Sequence, residues 1–416
     1  MIRVPLDKAV SGMVLAVPVY RPDQRGSILL RSEFELNPKI IARLKSLKLQ
    51  DVWVRYPGLD SIAQYQNSAI TGIRHRLISL AESTLDAFCR DRPSHVDWSL
   101  LEAAVEELRS EILNNPLCAL SFEQVGHAES YHVHHAAECS FLTALLGLRV
   151  QGYLVRQRKR ICPSPTANLI SLSKAAMLHD IGLMTLPDET LAAWSERRNE
   201  TDPQWQRHVR EGFQRVTGTI ESAAAAAVLQ HHEYFDGSGF PGRADWEGRS
   251  IGLSMHNIHI YARILTMIDQ FTELKYQPTG SIWPNVRVLR LLMSGTMCRR
   301  FDPTILSAFI RMMPAYLPGA MVDLTDGRSG FVMNFKPDDP CCPDVAVVDD
   351  LAAGIKSTTP AYEQVSLHLT KGPRIARADG LDVSADNYRL PERFRHKPAE
   401  SDDVGEGTHS SADSAA

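Results

Sequence analysis

The spacing of apolar residues divides the chain into a short mixed segment, a long helical part and a short strand-rich part. Residues 1 to about 60 predict a small α+β module, with strands in GMVLAVPVY, SILLRSEFEL and DVWVRYPG and a helix in NPKIIARLKSLKLQ. Asn37 is the expected N-cap of that helix and Pro38 its first residue. From 61 to about 125, apolar residues recur every three to four positions, which predicts a helical connector.

The same helical period continues from about 126 to 315, and the pattern then changes to short strands. Residues 316–371 predict a small β appendix, in which Asp326 and Gly327 form a hairpin turn. From 372 to 416 the chain is polar and ends in an acidic tail, which we expect to be disordered. The predicted fold class is therefore mainly α: an all-helical bundle with a small N-terminal α+β module and a small C-terminal β appendix.

Composition and charge narrow the class of protein. The hydrophobic share of 44%, the charged share of 23% and the formal charge of -4 are typical of a soluble globular protein without general attraction to nucleic acid or anionic membranes. There is no apolar run of about 18 residues, no signal-peptide pattern and no C-x-x-C among the seven cysteines. We therefore expect a cytoplasmic protein with reduced thiols, no membrane insertion and no nucleic-acid polymer as partner.

Histidines point to a metal site in the helical part, since ten of the fifteen lie between 126 and 312. Imidazole nitrogens and carboxylates together suit borderline metals such as Fe, Mn, Zn or Ni. Asp269 lies beside an apolar helical stripe, and a carboxylate buried there needs a cation or an arginine as partner. Five segments offer ligands: His135; His179 with Asp180; His208; His231 with His232; and Asp269.

Longer motifs surround these residues. HDIG is followed by Pro187, and HHEYFDGSGFPG, ARILTMID and FDPTILSAFI come after it in that order. Over about 126–315 the chain resembles the HD-GYP family, a branch of the HD superfamily of metal phosphohydrolases. The first 60 residues and the β appendix resemble the flanking modules of one subgroup of that family.

The resemblance implies a phosphodiesterase that hydrolyses cyclic di-GMP, a bacterial second messenger, to pGpG or further to GMP. It implies two divalent ions, Fe or Mn first and Zn or Ni as alternatives, with Asp180 as the bridge and His179 and Asp180 as the catalytic pair. Two such ions would activate a bridging water as hydroxide and hold the phosphate for in-line attack. The implied metal ligands are His135, His179, Asp180, His208, His231, His232 and Asp269. The implied substrate-binding residues are Asp236, Gly237, Ser238, Gly239, Phe240 and Pro241.

Several positions depart from the family pattern. Leu183 stands where a lysine usually holds the substrate phosphate, Phe240 replaces the motif tyrosine, and Tyr234 replaces a cation. Tyr131 stands where some members have a glutamate for a third metal, so two metals are expected. A lost charge-assisted phosphate contact costs about 1.5–3 kcal/mol. We favour core packing beside Ile181 as the role of Leu183.

Two other interpretations stay open. The chain could be a degenerate member that binds metal or nucleotide and signals through partner contacts with little turnover. It could also be a metal phosphohydrolase for a different nucleotide, because a fold does not choose the substrate. A cyclic dinucleotide is the expected small-molecule partner, and a homodimer or a signalling-protein partner is compatible with the sequence.

Overall fold

The structure is a computed structural model of the chain. It describes residues 1–21, 27–118, 130–157, 165–244, 246–247, 250–277, 280–357, 359 and 361–395.

The N-terminal module is a small α+β unit, as the sequence predicted. Its elements are β1 (Ile2–Pro5), β2 (Val19–Tyr20), β3 (Ile28–Leu30), α1 (Pro38–Ser46) and β4 (Asp51–Val54). β1 pairs antiparallel with β4, and β2 pairs with β3. The Asn37 side chain accepts a hydrogen bond from the Ile40 N–H at 3.0 Å, so the predicted N-cap is confirmed. Strand β1 was not predicted, and the strand expected in GMVLAVPVY is reduced to its last two residues.

Helices form the middle of the chain. The first two of them, α2 (Ser68–Cys89) and α3 (Trp98–Asn114), are separated at Asp91, which takes a positive φ of 58°. α4 and α10 lie at the centre, and almost every residue of α10 is buried. The helices are α2 (Ser68–Cys89), α3 (Trp98–Asn114), α4 (Tyr131–Arg149), α5 (Gln151–Gln157), α6 (Pro165–Leu178), α7 (Asp188–Arg197), α8 (Pro203–Val216), α9 (Ser222–Gln230), α10 (Ile260–Lys275), α11 (Asn285–Leu292) and α12 (Pro303–Met312), and a hairpin of β5 (Arg243–Ala244) and β6 (Ser250–Ile251) precedes α10.

A search of the described residues finds no single helix with the length and hydropathy of a membrane span. Thr166–Thr185 and Asp188–Arg197, which meet at a bend of 118°, reach that threshold only when the two are taken together.

The C-terminal strands form one six-stranded sheet. They are β7 (Met321–Leu324), β8 (Ser329–Val332), β9 (Asp344–Val347), β10 (Glu363–Ser366), β11 (Ile375–Ala378) and β12 (Leu381–Asp382), with α13 (Leu351–Lys356) between β9 and β10. The order is β10-β9-β8-β7-β11-β12 and every pair is antiparallel. The predicted turn joins β7 to β8, with Gly327 at φ 87°.

The prediction of disorder from residue 372 is wrong for 372–395. Strands β11 and β12 lie in this range and extend the β appendix beyond its predicted end at 371. Ile375 and Val383 are fully buried, and Asp386 accepts a hydrogen bond from Arg287 of α11 at 2.8 Å. These contacts order a stretch whose average composition is polar. The remainder of the predicted tail, 396–416, lies outside the described residues.

The sheet is a layer between two apolar cores, because alternate strand residues point to opposite faces. One face packs on the helices, through Val322, Leu324, Val332, Val345 and Val347. The other packs on the N-terminal module, through Met321, Phe331, Met333 and Ala346.

Candidate metal centre

Helix ends and central helices bring the predicted ligands to one place. His135 lies on α4, His208 on α8 and Asp269 on α10. His179 and Asp180 directly follow the last residue of α6, and His231 and His232 directly follow α9. Six of the seven are at most 2% exposed, whereas the Asp180 side chain is 22% exposed. The cluster therefore reaches solvent through Asp180.

The ligand atoms form two groups, and Asp180 lies between them. In the first, His135 Nε2 is 3.1 Å from both His179 Nε2 and Asp269 Oδ1. Asp180 Oδ2 lies 3.4 Å from His179 Nε2 and 3.7 Å from His135 Nε2.

The second group forms on the other oxygen of the same carboxylate. Asp180 Oδ1 lies 3.6 Å from His231 Nε2 and 3.7 Å from His208 Nε2. These two nitrogens are 3.4 Å apart, and His232 belongs to the same group. One carboxylate that faces two sets of imidazoles is the arrangement expected of a bridge between two cations.

Backbone carbonyls fix the orientation of three imidazoles. His179, His208 and His231 each donate from Nδ1 to the carbonyl three residues earlier, at 2.8, 2.6 and 2.7 Å. With the proton held on Nδ1, the Nε2 lone pair of a neutral ring points into the cluster. Such contacts are the usual second layer of a histidine metal site.

Charges within the cluster shift several pKa values. Burial would raise the pKa of Asp180 and of Asp269, but the surrounding histidines hold both well below their usual range. Burial would lower the pKa of His179, but Asp180 and Asp269 raise it to about 9. Burial lowers the pKa of His208 to about 4 and that of His232 well below its usual value. Ionised carboxylates at Asp180 and Asp269 and neutral imidazoles at His208 and His232 are the protonation states that divalent metals bind.

Two buried polar atoms support a cation in this place. His232 Nδ1 and Asp269 Oδ2 have no hydrogen-bond partner among the described residues, although both are fully buried. A buried polar atom without a partner is costly, and a metal ion would satisfy it. The residues therefore fit two divalent cations, one held by each group.

Cys139 is a neighbour of the first group that the sequence reasoning missed. Its Sγ lies 3.7 Å from His135 Nε2 and 3.3 Å from Thr272 Oγ1, and the residue is fully buried. The signal was available, because residues four apart on α4 share a helix face. The structure also distinguishes His135 from the nearby His132 and His134. These two residues are only partly buried and do not belong to either ligand group.

The predicted substrate loop folds back on the second histidine pair. Asp236 accepts from the N–H and hydroxyl of Ser238, at 3.0 and 2.6 Å, and Gly237 takes φ 84°. At Gly239 a Cβ atom would lie 2.2 Å from the His232 carbonyl oxygen, so only glycine allows this approach. The Phe240 ring stacks on His232 with centroids 4.8 Å apart and precedes a cis peptide bond to Pro241.

Glu233 anchors this loop, a role that the sequence reasoning did not assign. It is 1% exposed, and its two carboxylate oxygens accept from the N–H groups of Gly242 and Leu253, at 2.6 and 2.9 Å. The third residue of the H-H-E motif therefore holds the C-terminal end of the loop, and the segment at Leu253, beside the ligand pair.

The departures from the family pattern have distinct surroundings. Leu183 is buried, as expected, but it packs with Leu186 and Trp205 in a separate apolar cluster and not beside Ile181, which lies in the main helical core. Tyr234 is buried, and the guanidinium of Arg300 lies 4.3 Å from its ring centroid.

A helical bundle with a His/Asp cluster at its centre defines the class of HD-domain metal-binding proteins. The HD-domain family model matches residues 148–305, a range that includes six of the seven predicted ligands and starts after His135. Over this range the chain is similar to HD-domain proteins, in agreement with the resemblance of its motifs to the HD-GYP family.

The chain is similar to two curated proteins and to one solved structure. A cyclic di-GMP phosphodiesterase of Pseudomonas aeruginosa is 26% identical over 341 residues, which cover 74% of this chain and 75% of that protein. A cyclic di-GMP phosphodiesterase response regulator of Xanthomonas campestris is 30% identical over 144 residues, 34% of this chain and 35% of that protein. An HDG"Y"P protein structure from Bdellovibrio bacteriovorus aligns with 74% of this chain and 97% of its own, at 16% identity and a TM-score of 0.41.

Proposed function

We propose that this protein is a binuclear metal phosphodiesterase that hydrolyses cyclic di-GMP to pGpG. The observation that carries the proposal is the position of Asp180, whose two oxygens each face a separate group of histidines within 3.7 Å. The names of the relatives from Pseudomonas aeruginosa and Xanthomonas campestris support cyclic di-GMP as the substrate. Fe or Mn is the expected metal, since the cluster combines imidazoles with carboxylates.

The residues around the cluster suggest how a substrate would be held. Asp180 is the exposed ligand, so the scissile phosphate would approach the cluster on its side. When bound, two divalent cations would lower the pKa of a water and withdraw charge from the phosphate. Phe240 offers an aromatic surface beside His232 against which a guanine can pack. The proposed substrate contacts are those of the loop Asp236, Gly237, Ser238, Gly239, Phe240 and Pro241.

A second candidate is a member that binds metal and nucleotide but turns over little, and that signals through a protein partner. Leu183 favours it: the side chain is 4% exposed in an apolar cluster and has no group that could hold a phosphate.

The test is turnover of cyclic di-GMP by purified protein loaded with Fe(II) or Mn(II), with metal content measured on the same sample. We expect pGpG as product, and His179→Ala and Asp180→Ala should reduce turnover to background. The matched controls are His95→Ala and Asp188→Ala, which remove the same side-chain types from exposed positions and should leave turnover unchanged.

Each outcome selects one candidate. Two bound metals without binding or hydrolysis of cyclic di-GMP would contradict the proposed function. Tight binding without turnover would favour the second candidate. A panel of cyclic dinucleotides, assayed in parallel, separates cyclic di-GMP from other nucleotide substrates.

A further inference from the structure

Arg198 has an unusual backbone position at the end of α7. It takes φ 48° and ψ 42°, and its N–H donates to the Trp194 carbonyl oxygen at 2.9 Å. This left-handed conformation after a helix is the one that glycine adopts at least cost. The chain nevertheless has an arginine at this position, which points to a function for its guanidinium group.

Three helices hold that guanidinium in place. Glu273 of α10 accepts from Arg198 Nη1 at 2.9 Å, and Tyr131 of α4 lies close enough to raise the pKa of the guanidinium. The Trp194 ring of α7 lies 5.3 Å from the guanidinium carbon. A side chain fixed by a hydrogen-bonded ion pair and an aromatic face loses little further entropy when it binds a ligand.

Both polar partners of Arg198 adjoin the first metal group. Glu273 lies one helical turn after Asp269, and Tyr131 lies one turn before His135. The Tyr131 ring also stacks on the His135 ring, with centroids 5.6 Å apart and planes at 11°. The guanidinium is thus one side chain away from two predicted ligands.

Arg198 remains able to bind more than these partners. Its side chain is 29% exposed, and a guanidinium has five N–H donors. Burial would lower the pKa of Arg198, but Glu273, Tyr131 and Asp269 raise it, so the charge is permanent. A planar, fixed cation beside a metal cluster suits a phosphate, which it can bind through two parallel hydrogen bonds.

We propose that Arg198 binds a phosphate of the substrate at the rim of the metal cluster, and that Glu273 and Tyr131 are positioning residues for it. The inference rests on the proposed function and adds a phosphate contact that Leu183 cannot supply. This phosphate contact would come from a residue that lies outside the H-D and H-H-E motifs.

The test compares Arg198→Gln with Arg197→Gln in metal-loaded full-length protein. Arg197 is the matched control, since it is the preceding residue, carries the same charge and is 73% exposed. We expect R198Q to raise the KM for cyclic di-GMP by about 10–100-fold, with a smaller change in kcat and an unchanged metal content. R197Q should stay within about twofold of the wild type in KM, since a solvated side chain of this kind contributes little.

A second variant keeps the result independent of folding. Arg198→Gly removes the side chain while favouring the left-handed backbone, and it should raise KM as much as R198Q does. Glu273→Gln keeps the cation and weakens its anchor, so it should raise KM by less than either variant.

The outcomes separate this inference from the function on which it rests. If the wild type hydrolyses cyclic di-GMP and both Arg198 variants keep its KM within twofold, the inference is wrong and the function stands. Loss of metal from both variants would also overturn the inference, because Arg198 would then act by positioning the metal ligands and not by binding the substrate. A metal-loaded wild type that neither binds nor hydrolyses cyclic di-GMP contradicts the function itself.

Discussion

Metal binding to this protein should release a proton from His179 at neutral pH. In the metal-free cluster, Asp180 and Asp269 overcome the effect of burial and raise the pKa of His179 to about 9. At pH 7 about 99% of His179 is then protonated. Its Nδ1 proton is held by the Ala176 carbonyl, so the second proton occupies Nε2, the atom that faces His135 and Asp269. A metal ion must replace that proton.

The free-energy cost of removing this proton follows from the difference between pH 7 and the pKa of His179. Two pH units correspond to about 3 kcal/mol, which the first ion must supply to deprotonate His179. The apparent association constant should therefore rise about tenfold between pH 7 and pH 8 and level off above pH 9. His208, with its pKa lowered to about 4, is already neutral across this range and contributes no proton.

Titration calorimetry in two buffers of different ionisation enthalpy counts the protons. We expect at least about one per protein at pH 7, because water held by the ions adds to the share of His179. Cys139→Val is the control, since burial raises the pKa of this thiol well above its usual value and a thiolate ligand would release a proton of its own. If the C139V variant releases the same number of protons on metal binding as the wild type, the released proton comes from His179. A count of zero together with a flat pH profile would refute the reasoning.

Two substitutions test the packing around the cluster. Gly182→Ala would place a Cβ atom 2.0 Å from the His208 carbonyl oxygen, so it should displace α8, cost about 1–3 kcal/mol in the free energy of unfolding and lower the metal content. Gly295→Ala, with open space around its Cβ, is the control in thermal unfolding and metal analysis; equal losses in both would contradict the packing argument. Leu183→Lys would place an amine among Leu186 and Trp205, so we expect a lower Tm in thermal unfolding and little gain in kcat/KM. A large gain in kcat/KM at unchanged Tm would instead support an eroded phosphate contact.

The residues that meet in the His/Asp cluster could be predicted because each lies in a recognisable local motif. His179 with Asp180, and His231 with His232, are adjacent pairs at helix ends, and the backbone carbonyl contacts that orient them are local too. Cys139 also shares a helix face with His135, but a lone cysteine on an apolar face is ordinary core packing until its neighbours are known. Its contact with Thr272, 133 residues away, is not visible in any periodicity.

The prediction that disorder begins at residue 372 was wrong because the composition was averaged over too long a stretch. Strand β11 is four residues long, and its buried positions Ile375 and Ala378 are surrounded by polar residues in sequence. Its order depends on pairing with β7, about fifty residues earlier. A short strand of this kind gains its stability from the strands it pairs with and not from its own pattern.

Arginines from distant segments contact aromatic rings at or near the two positions where the motifs lack a cation. At position 234 a tyrosine replaces the expected cation, but Arg300 lies over its ring, and Glu200 accepts hydrogen bonds from both the Tyr234 hydroxyl and the Arg300 guanidinium. At position 183 the leucine packs against Trp205, whose ring stacks on Trp194 with centroids 3.7 Å apart. Arg198 lies near the ring of Trp194. Motif comparison counts both positions as lost charges, because it compares residues at fixed spacings. Each of these arginines is ion-paired with a glutamate, Arg300 with Glu200 and Arg198 with Glu273, so a phosphate at the rim would depend on their remaining N–H donors and not on a gain in net charge.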